Sequence, residues 1–310
     1  MNYRLFLLCA WLVCSGIDVP FAVARSGETA VMQVEIPFLT SRRTSRKADG
    51  EISYSTDGGD LSAGHCQVRV LQGEALEAQS GPLSARPLES VMSEFAGREG
   101  QGILFYIHGY NIGLERACRD AARLAHVTGF DGRVLLFSWP ASQAVLTYRK
   151  DEQRLTESLP AILSAVHALG ARYGYDNVNI VAHSMGTRVT LALNDPPAGA
   201  SPSLNGQFRN LVLVAPDIDR DRFLDMLPSL QQRAESISIL VSEDDRLLLL
   251  SQIVNGEERL GQASDLTVAG VDVVDVSTLD DLGLTGHIYH LENNRVGDIL
   301  RAILAPLEVE

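Results

Sequence analysis

The sequence predicts an α/β fold, in which a mostly parallel central sheet carries helices on both faces. Continuous apolar runs at 102–107, 134–137 and 211–215 alternate with helix-like segments. Strands that lack polar alternation are typical of a sheet that is buried on both faces. The chain has 310 residues, of which 45% are hydrophobic and 21% charged. This composition suits one sizeable globular domain with a small N-terminal addition.

The first 24 residues resemble a secretory signal. Arg4 precedes an apolar core at 5–17, and Ala-Val-Ala at 22–24 forms a cleavage site of the A-x-A kind. The core is short for a bilayer span, so cleavage after Ala24 is favoured over an uncleaved N-terminal membrane anchor. We therefore expect a secreted or periplasmic protein without a stable membrane span.

Signal cleavage leaves two cysteines, Cys66 and Cys118. An oxidising compartment permits a disulfide between them. Two free thiols are the alternative, with Cys118 on the buried face of a helix, because the sequence does not supply the Cβ geometry.

The formal net charge is -13. An acidic protein repels nucleic acid and anionic lipid, so neither is an expected partner.

The N-terminal part, residues 25–100, is predicted to contribute strands and a linker that pack on the main sheet. Segments 31–36 and 66–71 alternate as half-buried strands do. The polar stretch 41–64 predicts one or two loops around a short strand at 52–54, and 73–100 predicts a surface linker.

Residues 101–310 form the predicted catalytic core. A helix is predicted at 114–128, where apolar residues recur every three or four positions, and Gly129 closes it. A long helical stretch at 143–173 is expected to break at Pro160. A last strand at 271–276 and a closing helix at 296–304 complete the pattern.

The most informative stretch is 179–186, Asn-Ile-Val-Ala-His-Ser-Met-Gly. It is an apolar strand that ends in a tight turn, with a helix-like segment directly after it. This is the context of a nucleophile elbow, with Ala182 in place of the first Gly of G-x-S-x-G. Small residues are needed there because strand and helix backbones come close together, and Gly186 meets that need. Ser184 is therefore the predicted nucleophile.

A serine hydroxyl needs a base that accepts its proton. In the chain order Ser…Asp/Glu…His, only His287 and His290 follow Ser184. His287 is favoured because its loop follows the last strand. The alternative is a metal site built from His287 and His290 with Asp280 and Asp281, but no other ligand spacing in the sequence supports it.

The acid that orients the base is expected after the strand at 236–241. Asp245 is the first choice, followed by Asp217 and then Asp244. Asp244 is also a candidate N-cap of the next helix. Asp217 and Asp219 are likewise candidate caps of a helix around 223–227.

The negative charge that develops on the substrate oxygen requires two N–H donors. Met185, directly after the nucleophile, is one, and Tyr110, in the loop after His108-Gly109, is the other. Gly109 lets that loop approach closely, and His108 is expected to be structural.

Several segments together resemble one known family: ILFYIHGYN, the RLAH and GF pair, LLFSWP, NIVAHSMGTR, LVLVAPDID, SEDDRLLLLS and GHIYH. They resemble the α/β hydrolases of unknown function termed DUF900, over about residues 34–304. The resemblance implies an α/β-hydrolase fold and an esterase- or lipase-like role, with Ser184, Asp245 and His287 as triad. It implies no particular substrate.

Hydrolysis of a carboxylic ester, thioester or amide through an acyl-enzyme is the expected activity. The expected ligand is a small-molecule or lipid-like acyl substrate, and this chemistry needs no metal or organic cofactor. Acyl transfer by the same triad and a non-catalytic binding module on the same scaffold are the alternatives. The four leucines at 247–250 are expected to belong to the core rather than to a lid or membrane contact.

Overall fold

The computed structural model describes residues 30–48, 51–72, 76–96, 102–144, 147–193 and 204–305. Its centre is a nine-stranded sheet with the order β3-β2-β1-β5-β4-β6-β7-β8-β9. The strands are β1 (Ala30–Arg46), β2 (Ile52–Gln72), β3 (Leu76–Arg86), β4 (Ile103–Ile107), β5 (Arg133–Ser138), β6 (Val178–His183), β7 (Phe208–Val214), β8 (Ala234–Val241) and β9 (Asp272–Asp275). The pairings make β2 antiparallel to both of its neighbours, and all strands from β4 to β9 pair in parallel.

Helices cover both faces of this sheet. The α-helices are α1 (Leu88–Ser93), α2 (Leu114–Thr128), α3 (Tyr148–Tyr173), α4 (Arg220–Leu230), α5 (Arg246–Asn255), α6 (Tyr289–Glu292) and α7 (Asn294–Leu304). One core contains residues of α1, α3 and α4, and the other contains residues of α2, α6 and α7. The predicted mostly parallel sheet with helices on both faces is thereby confirmed. None of the helices in the described ranges is long and apolar enough to cross a membrane.

Helix α2 has the predicted limits. It runs from Leu114 to Thr128, buries Ala117, Ala121 and Leu124, and ends at Gly129, whose φ of 54° stops the helix. A strongly periodic apolar face and an unambiguous stop residue determine both ends.

The predicted loops at 41–64 are wrong, because strands run through most of this stretch. β1 and β2 pair from Ala30↔Gln72 to Arg46↔Ile52, with register shifts on both sides of Arg42. The outer part of this hairpin is polar and largely exposed. It therefore lacks the alternation by which a half-buried strand is identified in sequence.

The predicted linker at 73–100 is also wrong, since it contains β3 and α1. β3 pairs with β2 and forms the edge of the sheet. A disulfide joins Cys66 on β2 to Cys118 on α2. It settles the alternative that the sequence leaves open and ties the N-terminal strands to a core helix.

Two helical predictions need correction. α3 begins at Tyr148 rather than near 143 and continues through Pro160. A proline removes only one hydrogen bond, and Ile162, Val166 and Leu169 beyond it remain buried. The segment after the elbow, Ser184–Leu193, is a 3₁₀ helix, in which the Thr187 and Thr190 hydroxyls donate to the carbonyls three residues earlier.

Candidate active site

The elbow at Ser184 follows β6 directly. Ser184 has a φ of 53°, a left-handed conformation that is uncommon for a residue with a side chain. A Cβ added at Gly186 would lie 2.5 Å from the His108 carbonyl oxygen, so only glycine fits between the elbow and β4. The local sequence therefore holds the Ser184 side chain at the carboxyl edge of the sheet, where it lines a cleft.

The loop after β4 lies against the elbow. A Cβ added at Gly109 would be 2.8 Å from the Ser184 Cβ and 3.0 Å from His183 Nδ1. The backbone that leads into Tyr110 thus passes directly beside the serine. Met185 is the first residue after the serine in the 3₁₀ helix, where backbone N–H groups lack intrahelical acceptors.

Asp245 and His287 form a buried hydrogen-bonded pair. His287 Nδ1 lies 2.6 Å from Asp245 Oδ2, and both residues are buried. The other carboxylate oxygen, Oδ1, accepts the backbone N–H groups of Leu247 and Leu248, each at 3.0 Å. Asp245, and not Asp244 as the sequence suggested, is therefore the N-cap of α5. A carboxylate can only accept, so the Nδ1 carries the proton and Nε2 is left as an acceptor.

Ser184 and His287 line the same cleft, although no hydrogen bond connects the serine hydroxyl to the imidazole anywhere in the described ranges. Such contacts are often long without substrate and shorten when it binds. The cleft therefore brings together Ser184, His287 and Tyr110, with Asp245 directly behind the imidazole.

Asp217, the second candidate acid, lies in a different network. Its carboxylate accepts from Ser251 at 2.5 Å, from Tyr148 at 2.6 Å and from Arg188 at 3.3 Å. Burial, followed by the charge of Asp217, raises the pKa of Tyr148 to about 12. Asp217 caps no helix. The cap of α4 is Asp219, which accepts the Arg222 N–H.

The candidate metal ligands do not come together. The carbonyls of Asp280 and Asp281 accept from the Asn293 side chain. The described part of the chain contains no group of three or more histidine, cysteine or acidic residues that could hold a metal ion.

The comparisons with known proteins agree with this architecture. The family model described as "Alpha/beta hydrolase of unknown function (DUF900)" matches residues 85–304. The chain belongs to this family of α/β hydrolases. The match begins at residue 85 and not near 34, so β1, β2 and most of β3 lie outside it.

Solved structures add remote likenesses. The esterase domain of a Rhodothermus marinus protein is 11% identical at a TM-score of 0.38, covering 88% of this chain and 96% of that one. An esterase from Pyrobaculum calidifontis is also 11% identical at a TM-score of 0.37, covering 88% and 84%. No curated protein matches the chain.

Two further histidines pack against the site of this α/β hydrolase. His183 Nε2 lies 3.1 Å from the His287 carbonyl oxygen, so it donates there and holds the His287 loop. The His183 ring also packs at a tilt against the rings of His287 and His290, with centroids 4.7 and 4.3 Å away. Burial and the neighbouring imidazoles keep the pKa of His183 well below its usual range. The position of His183 directly before Ser184 is the one feature of the sequence from which its role could have been predicted.

A buried arginine supports the loop that carries Tyr110. Arg42 donates from Nη2 to the Ile112 carbonyl at 2.9 Å and from Nε to the Ser138 hydroxyl at 3.1 Å. The Ser138 hydroxyl in turn lies 3.2 Å from His108 Nε2. Burial, and then the charge of Arg42, lowers the pKa of His108 to about 3, which fits the structural role predicted for this histidine. Sequence analysis missed Arg42 because it lies in a polar run.

The cleft has a volume of about 1110 Å³ and an apolar wall formed by α5. Of the four leucines at 247–250, only Leu248 is buried, so their assignment to the core is wrong. Consecutive helical residues are about 100° apart around the axis, so four in a row cannot all face inward. Leu247 and Leu250 line the cleft instead.

Proposed function

We propose that this α/β hydrolase is an exported serine hydrolase that cleaves a carboxylic ester through an acyl-enzyme on Ser184. The observation that carries the proposal is the buried Asp245–His287 hydrogen bond beside a serine held at positive φ on the same cleft. A serine is activated by a base that a third group orients, and these are the required groups.

In the first half of the reaction, Ser184 Oγ attacks the ester carbonyl carbon while His287 Nε2 accepts its proton. Asp245 holds the imidazole in the required tautomer and stabilises the imidazolium. The Met185 and Tyr110 N–H groups bind the oxyanion. The C–O bond then breaks, and the alcohol leaves with the proton from His287.

In the second half, water enters and loses a proton to His287 Nε2. The resulting hydroxide attacks the acyl carbon, the bond to Ser184 Oγ breaks, and the serine regains the proton from His287. The carboxylic acid is the second product. In this proposal residues 101–310 carry the chemistry, and residues 25–100 support it through Arg42.

A fluorophosphonate probe tests for an activated serine without knowledge of the substrate. We expect the wild-type protein to be labelled, and both Ser184→Ala and His287→Ala to abolish labelling. Asp245→Asn preserves the helix cap, because the amide oxygen still accepts from Leu247 and Leu248. The amide nitrogen cannot accept from His287, so labelling should slow about 10³- to 10⁴-fold.

The matched control is Asp244→Asn, an exposed neighbour of Asp245, which should label at the wild-type rate. A folded wild-type protein that resists the probe would contradict the proposal and favour a binding module on the hydrolase scaffold.

Export is supported by the Cys66–Cys118 disulfide, since such bonds persist in oxidising compartments. The predicted signal at 1–24 lies outside the described residues. Sequencing the N-terminus of the mature protein tests the proposal, with Arg25 expected as the first residue. A retained Met1 would indicate the alternative, an N-terminal anchor.

A further inference from the structure

In the described ranges, the exposed large hydrophobic side chains belong to α5 and to the loop before His287. Five belong to α5, and the sixth, in the loop before His287, is 94% exposed. They are Leu247, Leu249, Leu250, Ile253, Val254 and Leu284. Exposed apolar residues that are scattered singly need no explanation, whereas a contiguous group marks a binding surface.

Helix α5 presents two different apolar faces. Leu247, Leu250 and Val254 line the cleft that contains Ser184, and their spacing of three and four places them on one side of the helix. Leu249 and Ile253 do not line the cleft. The inner face is thus continuous with the candidate catalytic groups, and the outer face is not.

The inner face carries no charged side chain, and its one hydroxyl, that of Ser251, donates to Asp217. Leu247, Leu250 and Val254 carry no polar group, and Leu284 adds a fourth apolar side chain to the same cleft. The Asp217 carboxylate, which also lines the cleft, accepts a hydrogen bond from Arg188, and its Oδ1 lies 3.7 Å from Arg259 Nη1. The other charged residues of the cleft belong to other elements: they are Arg116, Arg149, Lys150 and Glu292, of which Arg149 donates to the Val254 carbonyl. A group that lies along the α5 side of the cleft therefore contacts mainly hydrocarbon, and we expect it to be hydrocarbon itself.

The length of the wall sets the size of that group. From Leu247 to Val254 the helix rises about 10 Å at about 1.5 Å per residue, the length of an extended alkyl chain of about eight carbons. The alkyl chain would begin at the ester carbonyl beside Ser184, because Ser184 and this face of α5 line the same cleft.

We propose that the inner face of α5 (Leu247, Leu250 and Val254) and Leu284 together form a groove that binds an unbranched aliphatic chain of about eight carbons on the ester. This inference rests on the proposed function, since it assigns a substrate class to the same site. The chain belongs to either the acyl or the alkoxy part of the ester, which share this chemistry.

Two ester series test the groove and distinguish the two sources. The first comprises acetyl, butyryl and octanoyl esters of one nitrophenol, and the second comprises acetates of ethanol, butanol and octanol. In the series that uses the groove, kcat/KM should rise about two- to fourfold per added methylene. The other series should stay flat. A flat response in both series would overturn the proposal.

The chain supplies a matched pair of variants. Leu249 and Leu250 are neighbours on α5 and each is 51% exposed, yet only Leu250 lines the cleft. Replacement by serine costs the same helix propensity at both positions. Leu250→Ser should lower the preference for octyl over butyl chains about tenfold, and Leu249→Ser should change it by less than about twofold. Equal effects in both variants would indicate contact with a lipid surface or a second copy and would overturn the groove.

A binding measurement separates this inference from the proposed function. Octanoate should bind the Ser184→Ala protein in calorimetry, and the added Leu250→Ser substitution should weaken it about tenfold. Binding without probe labelling of wild-type Ser184 would refute the hydrolase and leave the groove. Labelling with no binding and no chain-length preference would refute the groove alone.

Discussion

Arg42 makes the strongest test of how the N-terminal strands support the site. It lies on β1 between two register shifts in the β1–β2 pairing. Irregularities of this kind re-aim side chains, and here the guanidinium is almost completely buried, at 2% exposure. Burial lowers its pKa to about 10, so it stays protonated at neutral pH.

The cost of removing this side chain follows from its partners. Arg42 donates to the Ser138 hydroxyl and to the carbonyls of Ser55, Ala141 and Ile112, at 2.9 to 3.3 Å. Three of these four acceptors are buried, and each one left unpaired costs about 1–3 kcal/mol. The methionine variant no longer has to remove a cation from water on folding, and this gain offsets part of the total cost. The Arg42→Met protein should therefore lose about 3–5 kcal/mol of unfolding free energy.

Urea unfolding followed by tryptophan fluorescence measures this loss. Trp139 is buried, stacks on His108 and donates to the His108 carbonyl, so it reports on the region that Arg42 holds. The control is Arg43→Met, because Arg43 is exposed and its ion pair with Asp57 spans 3.9 Å. That change should cost less than about 0.5 kcal/mol.

Arg42→Met should also slow probe labelling of Ser184 about tenfold, because the Ile112 carbonyl that it holds ends the loop carrying Tyr110. One tenfold step corresponds to about 1.4 kcal/mol of positioning energy. An unfolding free energy within about 1 kcal/mol of wild type would refute the reasoning. Stability loss with undiminished labelling in the remaining folded protein would refute the link to the site.

The other predictions concern stability, pH and the choice of acid. Replacing Cys66 and Cys118 by alanine should lower the unfolding free energy by about 4 kcal/mol in urea titrations, from a loop separation of 52 residues. Burial, and then His287, lowers the pKa of His290 to about 3 from 6.5, so the unfolded chain binds the extra proton in that interval. Stability from this group is complete above pH 6.5 and falls by about 1.4 kcal/mol per pH unit below it. His290→Phe should remove this one share of the slope and leave the shares of His108 and His183, whose pKa values are also lowered. Asp217→Asn should cost about 3 kcal/mol of stability yet label within about threefold of wild type. Labelling that vanishes in Asp217→Asn and persists in Asp245→Asn would reverse the assignment of the acid.

Much of the central fold could be predicted because its signals are local. Helix α2 carries both its apolar period and its stop residue within its own sequence. The elbow at Ser184 is likewise marked by the small residues beside it, although the contact that requires Gly186 comes from the His108 carbonyl oxygen after β4.

The features that sequence analysis missed depend on distant partners. Arg42 is buried because its guanidinium is surrounded by Ser138, Ala141 and Ile112, which lie between 70 and 99 residues away in the sequence. Leu247 and Leu250 of α5 remain outside the core because they line a cleft, whereas hydropathy alone predicts that they are buried. In both cases the tertiary environment overrides the local pattern.

The position of β1 has a consequence for the shorter region that the family model matches. β1 covers the edge of β5 through Phe38, Leu39 and Thr40, all of them buried. A chain that began at residue 85 would leave unpaired the backbone groups of β5 that face β1, along an apolar edge of the sheet. It would also leave Cys118 as a thiol without its partner. Such a fragment should associate edge to edge and form dimers that are disulfide-linked through Cys118. We therefore expect the N-terminal strands to prevent self-association of the core.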